Sequence, residues 1–176
     1  KSVYDLYMDC KKNNYFKNNW MPHNDTTPTT FKHSDNILQH NLYIKKYIEN
    51  NCANYLDNLN INFSEIEIYN SWFNEQSKGQ LVGIHDHRAL NKNFISGVYY
   101  VKSINDEKQG MIKFKSNDPF NFEFPSDADN LKYKSSVVFK AIENTMLFFP
   151  STISHSVTTN ETDYDRVVLS FNLEYS

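Results

Sequence analysis

Near residue 61 the spacing of apolar side chains changes from three and four residues to two, and the shorter period then persists through the rest of the chain. This change constrains the fold more than any other feature. A period of about 3.6 belongs to a helix with one buried stripe, and a period of 2 belongs to a strand with one buried face. Before the change, Ile37, Leu38, Leu42, Ile44, Ile48, Cys52, Tyr55, Leu56 and Leu59 recur at helical spacing behind Ser34 or Asp35 as N-cap. They predict one long helix over 37–57. After the change, Ile66, Ile68 and Trp72 alternate with Glu65, Glu67, Tyr69 and Ser71, the pattern of a half-buried strand. Further strands are predicted at 80–87, 94–102, 110–115, 135–141, 145–149, 153–159 and 166–174. Seven or eight short strands after one helix predict a mainly β chain. Its expected form is a double-stranded β-helix, or jelly roll, with two antiparallel sheets face to face and the helix packed on the outside.

A chain of 176 residues is long enough to bury its own core, so one domain is expected over 1–176. Residues 1–60 form its helical and loop extension and 61–176 its jelly-roll core. Aromatic residues make up 15% of the chain, which suits a β-rich interior. Two segments break the pattern. Residues 20–35 carry Pro22, Asn24, Asp25, Pro28 and a threonine cluster, the residues of an irregular loop. Asn117 to Asn130 holds two prolines and three aspartates among aromatic residues, and reads either as a lid over a binding site or as a plain connector.

Charge and cysteine content exclude several function classes. Lys and Arg number 18 against 21 Asp and Glu, a net charge of -3, and no basic stripe is interleaved with aromatics, so there is no direct nucleic-acid signal. Cys10 and Cys52 are too few for a disulfide scaffold and lack CxxC spacing, which points to a reduced, intracellular, cytoplasmic setting. No apolar run is long enough to cross a membrane and no basic-then-apolar leader is present, so a soluble chain that is not exported is expected. The chain begins at Lys1 rather than Met, so processing, trimming or a leader is expected to precede it.

The chemistry concentrates in the histidines. His23, His33 and His40 lack paired spacing and read as surface or structural residues. His85 and His87 stand two apart on a predicted strand, so both imidazoles project from one face and can reach one metal ion. Gly79 precedes His85 by the interval of the G-x5-H-x-H opening of cupin barrels, although the glutamate usual in that pattern is absent. Downstream, Asn144-x5-Pro150-x4-His155 resembles the second cupin pattern, with Asn144 in place of a turn glycine and Thr152 in place of the next one. Asparagine tolerates the left-handed conformation, so the first exchange is mild. Together the two halves predict a metal site built from His85, His87 and His155.

In the last strand Arg166, Val168, Ser170 and Asn172 share one face, while Val167, Leu169, Phe171 and Leu173 share the other. If the polar face meets solvent, Arg166 pairs with Asp163 or Asp165 in a bridge worth roughly 0 to 1 kcal/mol. If it faces inward, the buried guanidinium demands an anion, because an unpaired one costs several kcal/mol.

The order HxH, SGVYYV, FFPSxxxHxV and RVVLSFN, over about residues 66–174, resembles the iron(II)- and 2-oxoglutarate-dependent oxygenases. The likeness is greatest to a bacterial and phage branch carrying SGVYY after an HxH. The resemblance implies Fe(II) as the metal and 2-oxoglutarate as co-substrate, with molecular oxygen as oxidant, succinate and CO2 as products, and hydroxylation of a small-molecule or peptide substrate. It places His85 and His155 as iron ligands and Arg166 on the far carboxylate of 2-oxoglutarate. It adds Tyr100 and Ser170 as further contacts of that co-substrate. His87 stands where the superfamily has a carboxylate, and is expected to be the third ligand in preference to Asp86, which alternation turns away. Trp72 and Asn74 are expected at the pocket mouth, with core packing the alternative for Trp72. Two other functions fit the same residues. A three-His cupin-type dioxygenase would use no keto acid, and a non-redox cupin binding or isomerase module would take up no oxygen.

Overall fold

The computed structural model describes residues 2–17, 27–87, 95–115 and 136–176. The expected loop at 117–130, His23 with residues 20–26, the polar stretch Arg88 to Asn91, Phe94 and residue 135 lie outside the described residues. Two helices, α1 (Val3–Lys12) and α2 (Leu42–Asn58), precede eight strands. The strands are β1 (Ile66–Gln76), β2 (Val82–His85), β3 (Ile95–Lys102), β4 (Ile112–Lys115), β5 (Ser136–Phe139), β6 (Met146–Pro150), β7 (His155–Val157) and β8 (Arg166–Tyr175). They form two four-stranded sheets, ordered β1-β8-β3-β6 and β2-β7-β4-β5, and the pairings within both are antiparallel. This is the jelly-roll arrangement expected from the period of two. No described helix is long and apolar enough to cross a membrane.

Helix α2 begins five residues later than its apolar spacing predicts. Asn41, rather than Ser34 or Asp35, is the N-cap, and its side chain accepts from the Ile44 N–H at 3.3 Å. The reason is competition from β1 for the backbone of residues 35–38. Ser71 N–H donates to Asp35 and its carbonyl accepts from Ile37 N–H, while its hydroxyl accepts from Leu38 N–H at 3.0 Å. Leu38 is nevertheless fully buried, so its apolar position in the pattern reports packing rather than helix. Helix α1 went unpredicted. Its signature is a capping box, in which Ser2 Oγ accepts from Asp5 N–H and the Asp5 carboxylate accepts from Ser2 N–H. Behind the box, Val3, Leu6, Tyr7 and Cys10 recur at helical spacing and pack into the core.

Both helices cover the outer face of the β1-β8-β3-β6 sheet. Tyr7, Cys10, Ile44, Ile48, Cys52 and Leu56 join Ile68, Phe73, Val167, Leu169, Phe171 and Leu173 in one buried cluster. A bulge at Tyr69 makes this possible. The pairing of β1 with β8 steps from Ile68↔Leu173 to Asn70↔Asn172, so Tyr69 is an extra residue and alternation reverses beyond it. Ile66 and Ile68 therefore face the helices together with Phe73, whereas Asn70, Trp72 and Asn74 turn into the space between the sheets. The sequence pattern that put Trp72 on the face of Ile66 and Ile68 is corrected by this single inserted residue.

Asn144 adopts φ of 63° in the turn before β6, the left-handed conformation that its place in the cupin-like pattern requires. Replacing it with valine is expected to lower stability by about 1–2 kcal/mol, read as a fall in urea midpoint at unchanged slope. Cys10 and Cys52 are both buried, and burial pushes the Cys52 thiol up to about 12. A thiol reagent at pH 8 should therefore modify neither cysteine in the folded chain and both after denaturation.

Candidate metal centre

The sequence places His85 and His87 at the end of β2 and His155 at the start of β7, and the strand register brings them together. His85 sits directly opposite His155 in the β2–β7 pairing. His87 follows one residue beyond Asp86, held by its own N–H donating to the Ser151 carbonyl at 3.0 Å. The ring centroids of His85 and His155 are 4.2 Å apart, those of His85 and His87 5.4 Å, and those of His87 and His155 5.3 Å. One ring nitrogen of each lies within 4.8 Å of the others. Among the described residues Asp86 is not part of this group, and its carboxylate instead accepts from Ser154 Oγ at 3.5 Å.

Each imidazole is oriented through Nδ1. His85 Nδ1 donates to the Gly83 carbonyl at 2.8 Å, and His155 Nδ1 donates to the Ile153 carbonyl at 2.9 Å. His87 Nδ1 meets Asn172 Oδ1 at 2.7 Å. A carbonyl or amide oxygen can only accept, so Nδ1 carries a proton in all three rings, which in the neutral ring leaves the lone pair on Nε2. Burial favours the same neutral state. Desolvation among Phe114, Phe149 and the other two histidines pulls His155 down to about 3. Desolvation also lowers His87, partly opposed by its hydrogen bond to Asn172. Three imidazoles that engage Nδ1 with oxygen acceptors and leave Nε2 available are a donor set for a borderline transition metal such as Fe(II).

The same cavity, of about 390 Å³, is lined by the three histidines, Arg166, Ser170, Asn172, Asn74 and Trp72. The polar face predicted for β8 thus turns inward. Arg166 is 2% exposed, and among the described residues it forms no ion pair with Asp163 or Asp165. Its only hydrogen bond there is a long one, from Nη1 to Gln76 Oε1 at 3.4 Å, and Nε has no partner. Burial draws its pKa below the ordinary value, yet a guanidinium stays charged in proteins. Tyr100 does not line the cavity. Its ring lies 5.2 Å from the guanidinium carbon as a cation–π partner, and its buried hydroxyl also lacks a hydrogen bond. Ser170 Oγ accepts from Asn74 Nδ2 at 3.2 Å. A buried cation without a counter-charge is costly, so this arrangement fits a ligand that brings a carboxylate.

Sequence reading missed the polar groups behind the histidines. Alternation places Asn172 on the cavity face, but its links to His87, Asn70 and Ser96, and that of Ser96 to Ser151, run between residues far apart in the chain. Trp72, at 6.4 Å from the His87 ring and 5.1 Å from Phe31, lines the cavity rather than the helix-side core.

A jelly roll with three converging imidazoles and an inward arginine has the make-up of a metal-binding β-barrel. Residues 70–172 match the family described as "Putative 2OG-Fe(II) oxygenase", and the chain belongs to that family. The family's description names Fe(II) and 2-oxoglutarate, and the three-histidine group is one that could hold such a metal. No curated protein matches. Among solved structures, the chain resembles a 2OG-Fe(II) oxygenase family oxidoreductase from Burkholderia pseudomallei at 16% identity and a TM-score of 0.53, over 68% of this chain and 50% of that one. The chain thus spans about half the length of that relative. A prolyl-4-hydroxylase from Pseudomonas putida aligns at 10% identity and a TM-score of 0.62, over 99% of this chain and 86% of the other. The carbocyclase SnoK from nogalamycin biosynthesis aligns at 8% identity and a TM-score of 0.67, over 99% and 76%. At these identities the likeness concerns the fold.

One divalent ion per chain is expected in calorimetric titration with Co(II) or Fe(II). The affinity should fall at least tenfold in His85→Ala and in His155→Ala, and stay unchanged in His33→Ala and His40→Ala.

Proposed function

We propose that this chain is a non-haem Fe(II)- and 2-oxoglutarate-dependent hydroxylase in which His85, His87 and His155 hold the iron and Arg166 binds the far carboxylate of 2-oxoglutarate. What carries the reading is one buried guanidinium, without a counter-charge among the described residues, lining the same cavity as three imidazoles that engage Nδ1 and leave Nε2 available. The chemistry the bound pair supplies is oxidative decarboxylation to succinate and CO2, coupled to insertion of one oxygen atom of O2 into a substrate C–H bond.

The protein's part is placement. Carbonyl oxygens of Gly83 and Ile153 fix two of the three rings, so little reorganisation accompanies ligation. The Tyr100 ring packs 5.2 Å from the guanidinium carbon, so Tyr100 acts on the carboxylate through Arg166 rather than by direct contact. Ser170 contributes a hydroxyl from the same wall. Phe149, Val157, Ile112 and Trp72 exclude water around the histidines. Phe31 and Trp72, on the wall beside His87, are in reach of a substrate that is a small molecule or a peptide side chain.

A second reading rests on His87. With an imidazole in place of a carboxylate the ligand set is neutral, as in a three-His dioxygenase that oxidises a substrate carboxylate bound by Arg166, without a keto acid.

Anaerobic addition of Fe(II) and 2-oxoglutarate together should give a weak visible absorption band that neither gives alone, and air should then yield succinate in slow uncoupled turnover. In Arg166→Ala the affinity for 2-oxoglutarate should fall about a hundredfold, for a loss of about 3 kcal/mol in charge-assisted hydrogen bonding. A native chain that consumes oxygen with a substrate but never forms succinate would establish the three-His reading instead.

A further inference from the structure

His87 differs from its two partners in how its proton is held. His85 and His155 donate to main-chain carbonyls two residues before them, acceptors that cannot turn round. His87 Nδ1 instead meets the side-chain amide of Asn172 at 2.7 Å. An amide offers an oxygen on one side and an NH2 on the other, and the two orientations have opposite consequences. With Oδ1 toward the ring, His87 carries its proton on Nδ1 and leaves Nε2 free to ligate. With Nδ2 toward the ring, Nδ1 must accept, the proton moves to Nε2, and the ligating lone pair is lost.

The surroundings of Asn172 choose between these orientations. Its Nδ2 donates to Asn70 Oδ1 at 2.7 Å, and its Oδ1 also accepts from Ser96 Oγ at 2.7 Å. Ser96 Oγ lies 2.9 Å from Ser151 Oγ, and the Ser151 carbonyl takes the backbone N–H of His87. Asn70, Asn172, Ser96 and Ser151 are all buried. Three adjacent strands bring them into line, since Asn70 pairs with Asn172 across β1–β8 and Ser96 pairs with Asn172 across β3–β8. The Tyr69 bulge is what turns Asn70 to this side. Reversing the amide would turn its oxygen onto Asn70 Oδ1 and leave two buried acceptors facing each other at a desolvation penalty, whereas the Ser96 hydroxyl, 3.0 Å from His87 Nδ1 and 2.9 Å from Ser151 Oγ, can rotate to suit either orientation.

From this geometry we infer that Asn172 is a positioning residue whose amide, held in one orientation by Asn70, selects the His87 tautomer that can bind metal. The inference rests on the proposed role of His87 as third ligand. It explains how an HxH pair can serve in place of a histidine and a carboxylate. A carboxylate ligates through either oxygen, whereas an imidazole ligates only if its proton is kept on the far nitrogen. Asn172 and Asn70 supply that condition without adding charge.

The test has two arms, both on the full chain. In the metal-free protein at pH 8, long-range 1H–15N correlation of the His87 ring should show a proton on Nδ1. In Asn70→Ala, which leaves the Asn172 contact in place but frees the amide to turn, the Nε2-protonated form should appear. A native ring protonated on Nε2, or an Asn70→Ala ring identical to native, overturns the inference. In the second arm Co(II) affinity is measured. Asn172→Leu should weaken it about 10- to 100-fold, while Asn172→Asp, which retains an acceptor, should bind within a few-fold of the native chain. Melting temperatures of the variants separate this from unfolding. If His87→Ala binds Co(II) as the native chain does, the third-ligand reading fails and the inference with it. If His87→Ala loses affinity while folded Asn172→Leu keeps it, the inference alone fails.

Discussion

The antiparallel pairing of β1 with β8, interrupted once by the bulge at Tyr69, is the constraint on which the rest of the molecule depends. Strand β8 is central in its sheet and its two faces are chemically opposite. Val167, Leu169, Phe171 and Leu173 lie under the helices, while Arg166, Val168, Ser170 and Asn172 look into the cavity. Such a strand tolerates only one orientation, because a one-residue slip would exchange a buried apolar row for a row of polar groups. Strand β1 can serve both layers only because the bulge lets Ile68 and Phe73 share the helix side while Asn70 and Trp72 share the other.

The electrostatics of the cavity follow from that framework. Burial favours the neutral form of His87 and His155, and the guanidinium of Arg166 has no carboxylate against it among the described residues. Among the described lining residues Asp86 is the only carboxylate, so the wall suits an anionic co-substrate that spans a cation and a guanidinium. Buried polar networks of this kind are stable only when their members are satisfied. Here the serine and asparagine side chains satisfy one another, and the groups left over, Arg166 Nε and the Tyr100 hydroxyl, lie together beside the cavity.

Much of this was legible in the chain. Alternation of period two located the eight strands within a few residues, since each buries one face and the pattern is local. The HxH pair, the distal His155 and the polar face of β8 were legible for the same reason. The left-handed turn at Asn144 followed from its place in the motif and is present. The start of α2 was misplaced because Asp35, Ile37 and Leu38 bond to Ser71, a partner more than thirty residues away in sequence. Helix α1 escaped notice because ten residues carry a weak periodic signal, although its capping box was available. The bulge at Tyr69 was invisible, since an extra residue in one strand is defined only against its neighbour.

By itself, then, the order of residues determined where the strands and the body of α2 lie, which side chains share a face within an uninterrupted strand such as β8, and which residue types could ligate a metal or bind an anion. Those properties depend on spacing along a few consecutive positions, which backbone geometry converts directly into direction. Only the tertiary structure decided that β8 turns its polar face inward, that Trp72 belongs to the cavity, that Tyr100 lies beneath the guanidinium, and that Asn172 reaches His87. Each depends on the register between strands remote in the chain, and register is set by the packing of the whole sheet against its helices, a cooperative quantity that no local stretch contains.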